Sequence, residues 1–289
     1  MDSEHLKILK RPRFRRSRLV LGVSGWMDGG EVSTGTVRHF IERLEPEKLA
    51  RIESEDFYLY SFPGSMEVSA LFRPHVRIEQ GRITEYEEPH NDFFYHADSD
   101  LLLFLGKEPQ LRWEEYADCM LNFAAWAKVE IVYFIGSVGG LVPHTREPRV
   151  FGSVSDAALL PLLEQADTTL TDYEGPAGIS SYLTHRASAA GIAMLTLVAE
   201  IPAYVQGRVP RCIGAVARRL AGLLDLRMDF EALRKESESH EKRLDQIIRD
   251  RPELALQIRQ LEDNYDKETL DYEMGDLKAW LQQQGINLD

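Results

Sequence analysis

The sequence predicts an α/β protein organised on a parallel sheet, and three observations carry that prediction. Leu19 to Gly30, LVLGVSGWMDGG, is an apolar strand that breaks at Ser24-Gly25 into a glycine-rich turn. It opens at Glu31 into EVSTGTVRHFIERL, where Val32, Val37, Phe40, Ile41 and Leu44 fall near helical spacing. Asp100 to Gly106, DLLLFLG, is a nearly continuous apolar run of the kind buried on both faces of a parallel sheet. A long amphipathic segment marked by Leu111, Tyr116, Cys119, Met120, Phe123 and Trp126 leads from it to a second such run, EIVYFIGSVGG, at Glu130. Strand, helix and strand in that order make a right-handed crossover. Both units leave a loop at the carboxyl end of a strand, the usual place for a site in an open α/β sheet.

The remaining elements follow in order. Pro46 and a polar stretch precede DFYLYSF, Asp56 to Phe62, which reads as a strand ended by Pro63-Gly64. His75 to Tyr86, HVRIEQGRITEY, alternates around Gly81 with Val76, Ile78, Ile83 and Tyr86 in the apolar places, and reads as a β-hairpin. His90, Asp92, His96 and Asp98 invite a metal reading, but their spacing matches no common site and they read as solvated. LVPHTREPRVFGSVSD is loop-like; Ala157 to Gln165 reads as a helix and Ala166 to Tyr173 as a short strand. SSYLTHRASAA from Ser180 is helical and leads through Gly191 into a third buried strand, IAMLTLVAE. Pro202 to Pro210 is a loop and ARRLAGLLDL completes a helix.

From Asp225 the texture changes to seventeen Asp or Glu against ten Lys or Arg, with little β-branched content. Phe230, Leu233, Leu244, Ile247 and Ile248 mark one helix, Pro252 stands at the first position of another, and Leu254, Ile258, Leu261 and Tyr265 step along it. The expected division is therefore an α/β domain over 1–225 and an acidic helical hairpin over 226–289.

A formal net charge of -13 over 289 residues argues against nucleic-acid or anionic-membrane partners, since both surfaces repel such a chain. The exception is a basic lead-in, with Lys7, Lys10, Arg11, Arg13, Arg15, Arg16 and Arg18, which reads as a solvated arm or one packed on acidic neighbours. No apolar segment has the length of a signal or a membrane span, so a cytoplasmic location is expected. Cys119 and Cys212 lie in helical patterns without CxxC spacing and read as buried small hydrophobes.

Three motifs in order, GWMDGGEVSTGTVRHFIERL, GKEPQLRWEEYAD and GSVGGLVPHTREPRVFGSVSD, resemble the bacterial branch of the proteasome assembly chaperone family, the type named for its second subunit. The likeness covers most of residues 15 to 225, and the acidic tail is similar to an extension that some bacterial members carry. The resemblance implies a three-layer α/β/α sandwich of phosphorylase/hydrolase-like architecture with a C-terminal helical extension. It also implies a homo-oligomer, a trimer in that branch, with the helical tail at subunit contacts or on a partner protein. Such chaperones commonly dock through a C-terminal hydrophobic-tyrosine-any tripeptide; here Asn287 and Leu288 stand in the first two places, so that docking mode is not expected.

The strand-end loops define a candidate pocket of Gly25, Trp26, Asp28, Gly29, Gly30, Glu108, Arg112, Gly139, His144 and Arg146. The first loop's backbone N–H groups converge with the positive end of a helix, which suits an anion, whereas Asp28 competes for the same donors and reads as a helix cap. Trp26 is either a buried plug, favoured by the general burial of aromatics, or an exposed ring that stacks on a ligand. Neither the dinucleotide fingerprint nor GxxxxGK occurs in this loop, and Ser24 and Ser137 each miss a glycine of the GxSxG elbow. His144, Thr145 and Arg146 suit phosphate, with Arg112 and Glu108 completing a polar cluster. The plainer alternative pairs Arg112 with a carboxylate and leaves Glu200 in solvent at a strand end. Two functions follow: a non-catalytic assembly or scaffold protein acting through protein contacts, or a phosphorylase-like or ligase-like enzyme or anion binder using the glycine loops. No cofactor and no metal is implied.

Overall fold

The computed structural model describes residues 5–66, 72–87 and 89–283, with side chains to residue 270 apart from residue 87. Its centre is a nine-stranded sheet in the order β1-β3-β6-β7-β2-β8-β11-β9-β10. The four middle strands, β7 (Leu101–Lys107), β2 (Ser17–Ser24), β8 (Val129–Gly140) and β11 (Ala193–Pro202), are mutually parallel. On one side follow β6 (Asp92–His96), β3 (Glu47–Ile52) and β1 (Leu6–Ile8), all paired antiparallel. On the other, β9 (Val150–Val154) is antiparallel to β11, and β10 (Thr169–Leu170) is parallel to β9.

Residues of β2 alternate between two cores. Leu19, Leu21 and Val23 face Tyr116 and Phe123 of α2 (Trp113–Trp126) and Ile179 and Leu183 of α4 (Ile179–Ala189). Val20 faces Val37 and Phe40 of α1 (Val32–Leu44) and Ile213, Val216 and Leu220 of α5 (Pro210–Leu223). That is the expected three-layer sandwich, apolar on both faces of the sheet because helices cover both. The short α3 (Leu160–Gln165) sits at the β9 side, and α6 (Glu231–Arg249) and α7 (Pro252–Gln283) form the C-terminal helical extension.

Several local readings are corrected. Residues 56–62 form no strand; the strand is the preceding EKLARI, whose Leu49, Ala50 and Ile52 are buried. Phe57 and Tyr58 are instead buried plugs, with the Phe57 carbonyl accepting from the Gln110 and Leu111 amides. The loop reading of 141–156 missed β9, which is short and interrupted by Gly152, where a Cβ would strike Leu163. The basic lead-in is partly an edge strand, and its cations do meet acids, Lys10 with Glu47 at 2.8 Å and Arg16 with Glu130 at 2.5 Å. The hairpin exists as β4 (His75–Glu79) and β5 (Arg82–Glu87), joined by Gln80 and Gly81 at positive φ, as two-residue hairpin turns require. No helix among the described residues is long and apolar enough to cross a membrane.

Candidate functional site

The ten sequence-selected residues lie in separate neighbourhoods at the carboxyl end of the parallel strands. The first contains the glycine loop and Glu108. Gly25 has φ 141°, and a Cβ there would stand 2.7 Å from the Glu108 side chain. The close approach lets Glu108 Oε2 accept the Trp26 amide at 2.8 Å while Oε1 accepts from Ile179, the first residue of α4, at 3.2 Å. Gly29 packs on Ile201 and Gly30, at φ 64°, on Val209, so these glycines serve backbone packing. Ser137 is buried and donates to the Gly29 carbonyl at 2.8 Å. The loop that suited an anion thus holds the chain's own carboxylate.

Asp28 is the second carboxylate in the loop. Its Oδ1 accepts the Thr34 amide at 2.9 Å and its Oδ2 the Thr34 hydroxyl at 2.8 Å, so it satisfies the third helical N–H of α1 from outside the conventional cap position. Burial lifts its carboxyl to about 6, against the opposing pull of the Thr34 hydrogen bonds. Trp26 is 74% exposed, which removes the plug reading: its amide is tied down and its indole projects into solvent.

Arg112 stands apart. It is at positive φ before α2 and pairs with Glu115 at 3.1 Å and Asp56 at 3.6 Å. Gly139 lies near Ala203, and a Cβ on Gly140 would run into the Glu200 carboxylate.

His144, Thr145 and Arg146 form the third neighbourhood, and their partners come from the tail. His144 is 4% exposed; Tyr204 accepts its backbone N–H and meets Nδ1, each at 2.8 Å, while Nε2 faces Asp245 of α6 at 3.3 Å. The Tyr204 hydroxyl and the Asp245 carboxylate thus flank the two ring nitrogens of His144. Thr145 donates to Glu262 at 2.5 Å, and Arg146 grips Asp266 through two bonds of 2.7 and 2.8 Å. Arg149 bridges Glu200 at 2.9 Å and Glu268 at 3.2 Å, with its guanidinium 4.6 Å from the Tyr265 ring centre. Tyr265 donates to the Glu147 carbonyl at 2.9 Å. The PHTREPR segment is therefore a seat for the acidic C-terminal helices. Glu200 is buried and paired, not solvated as the plainer alternative had it.

The PAC2 family profile matches residues 22–248. The chain belongs to the PAC2 family. No protein of curated function matches it. The chain is 28% identical to a proteasome-assembly chaperone homologue of Mycobacterium tuberculosis, with a TM-score of 0.71 over 82% of this chain and 98% of that one. A protein of unknown function from Corynebacterium glutamicum, 20% identical, superposes with a TM-score of 0.81 over 93% and 99% of the two chains. An archaeal proteasome activator of Pyrococcus furiosus, PbaB, is 21% identical with a TM-score of 0.63 over 84% and 97%.

In this PAC2 chain the residues that sequence reasoning missed are Arg149, Glu200, Tyr204 and the tail acids. A signal was present in outline, since a basic TREPR loop and a strongly acidic tail in one chain are complementary. Among the described residues no group of three His, Cys, Asp or Glu is arranged to hold a metal. The terminal tripeptide lies outside the described residues.

Proposed function

We propose that this PAC2 protein is a non-catalytic, assembly-chaperone-like or scaffold protein that works through protein contacts, as a cytoplasmic homo-oligomer and specifically a trimer. The observation that carries the reading is the β4–β5 hairpin. Its cross-strand pairs, Val76 with Tyr86 and Ile78 with Ile83, place four apolar side chains in solvent at 43–66% exposure. A two-stranded hairpin alone is marginal in water, and a contiguous exposed apolar face marks a contact surface. Family membership and the naming of the mycobacterial relative as a proteasome-assembly chaperone homologue support the same reading. The capture of Glu108 and the tail acids by the strand-end loops counts against the enzyme alternative.

We further propose that 226–289 is a unit distinct from 1–225, joined to it by ion pairs more than by core. Arg208 meets Glu236 and Arg211 meets Glu241, alongside the Arg146 and Arg149 pairs, whereas few of the tail's described side chains are buried, among them Leu233, Ile258 and Tyr265. The test is solution mass by light scattering on the wild type and on Ile78→Lys/Ile83→Lys. A mass of three 33.0 kDa chains that falls to one in the variant is expected. A wild type that is monomeric at every concentration, or a variant that keeps the trimer mass, overturns the proposal.

A further inference from the structure

A cavity among the described residues borders the candidate loop without involving its anion-suited donors. It is a groove of about 580 Å³ between α4 and the β11-β9 part of the sheet, closed at one end by Trp26 and on its outer side by the 171–178 loop. That volume is within the range of sites for small molecules. Its floor is Phe151, Val198 and the hydroxyl pair Ser153 and Thr196, 2.5 Å apart. One wall is the helical stripe Ser181, Thr184, His185 and Ser188, spaced by three and four residues so that all four share one face. Among the described residues no Asp, Glu, Lys or Arg lines the groove, although 28% of the chain is charged.

Two features show that the groove is more than a gap in packing. Ser180 is 6% exposed, lines the groove, and its hydroxyl has no hydrogen-bond partner among the described residues. Thr171, Ser181 and Ser188 also line it, exposed, with no side-chain hydrogen bond to another described residue, so their hydroxyls are open to a ligand or to water. At the rim, the Trp26 indole and the Tyr173 ring are 74% and 65% exposed and offer two apolar ring faces.

The chemistry narrows what can bind. An anion is best held by Lys, Arg or converging backbone N–H groups, and among the described lining residues there is no Lys or Arg, only the exposed His185 imidazole. A cation needs carboxylates, and none is present. A wholly apolar ligand would strip water from several hydroxyls and return nothing. A serine or threonine hydroxyl both donates and accepts, so a row of them matches a ligand whose own groups do both. We propose that this groove binds a neutral saccharide of one or two rings, its hydroxyls on the α4 serines and an apolar sugar face against Trp26 or Tyr173. This site is independent of the oligomer reading and adds a small-molecule function to it.

The test is ligand-observed saturation-transfer NMR on the full chain with glucose, galactose, N-acetylglucosamine, maltose and cellobiose, followed by calorimetric titration of any binder. Adenosine and glucose 6-phosphate are run alongside. At least one neutral saccharide is expected to bind with a Kd of roughly 1 mM or tighter. Trp26→Ala is expected to weaken it roughly five- to ten-fold, and Ser181→Ala/Ser188→Ala by about as much, with the circular dichroism spectrum and Tm unchanged because these side chains are exposed. Silence from every saccharide overturns the assignment. So does adenosine binding in their place, tighter binding of glucose 6-phosphate than of glucose, or saccharide binding that both variants leave unaltered.

Discussion

Replacing Arg149 by Met tests whether the PHTREPR segment holds the fold together from inside. The Glu200 side chain is 8% exposed and the Arg149 side chain 32%, so the substitution leaves a carboxylate in place with little water to take over. Removing one partner of a fully buried pair typically costs about 3–5 kcal/mol. The partial exposure of Arg149 lowers that, while loss of its contact with the buried Tyr265 ring adds ~0.5–1 kcal/mol. The bond to Glu268 adds little, because that acid is 62% exposed. The expected loss is ~2–4 kcal/mol, read as a lower urea midpoint at constant slope. Glu200→Gln in the Arg149→Met background is expected to recover roughly half of it, since the orphaned charge is then gone. A single-variant cost below ~0.5 kcal/mol, or strictly additive single and double variants, refutes the reasoning.

Other consequences follow from the same contacts. The Asp28 carboxyl, lifted to about 6, binds its proton more tightly in the folded than in the unfolded chain, so between pH 4 and 6 stability falls as pH rises. The amplitude is ~1–3 kcal/mol after allowing for partial solvation, and Asp28→Asn, which keeps an oxygen on the Thr34 amide, is expected to flatten that part of the urea-stability profile. Arg146→Ala removes an exposed pair and is expected to cost only about 0.5–1 kcal/mol globally. It is expected to speed amide exchange in α7, an effect that 1 M NaCl reproduces in the wild type by screening. Cys212 is buried and its thiol is pushed up to about 12, so Ellman's reagent at pH 8 is expected to label it only as fast as the chain unfolds.

The legible parts of the chain were those where periodicity is strong. β2, β7, β8 and β11 are continuous apolar runs because helices bury both faces of the sheet, and the hairpin declared itself through alternation around Gly81. β3 was obscured because half of EKLARI is polar and pairs at the antiparallel side, where Arg51 and Lys48 reach Asp92. DFYLYSF has strand-like composition, yet Tyr58 is buried for its bond to the Lys107 carbonyl at 2.8 Å and belongs to no ladder. The candidate site was legible as a list of polar residues but not as a set of partners. Trp26 to Glu108 spans 82 residues, and Arg146 to Asp266 spans 120. Nothing in local spacing encodes such pairings.

That separation has a consequence for phosphate. Converging N–H groups and cations in a strand-end loop look alike whether they await a substrate anion or hold a carboxylate of the same chain. Here Glu108 holds the first loop, and Glu262, Asp266 and Glu268 hold the third. An intramolecular group competes at an effective concentration of order millimolar or more, so free phosphate has to displace it to bind. Inorganic phosphate at about 1 mM is therefore expected to leave the Tm where equimolar chloride leaves it. In Asp266→Asn the Arg146 fork is released, and a small phosphate-dependent rise in Tm is expected there, erased by adding Arg146→Ala. A clear rise in the wild type at that concentration, persisting in the Arg146→Ala protein, would mean that some other part of the strand-end surface binds the anion, and self-occupation would no longer account for the loops.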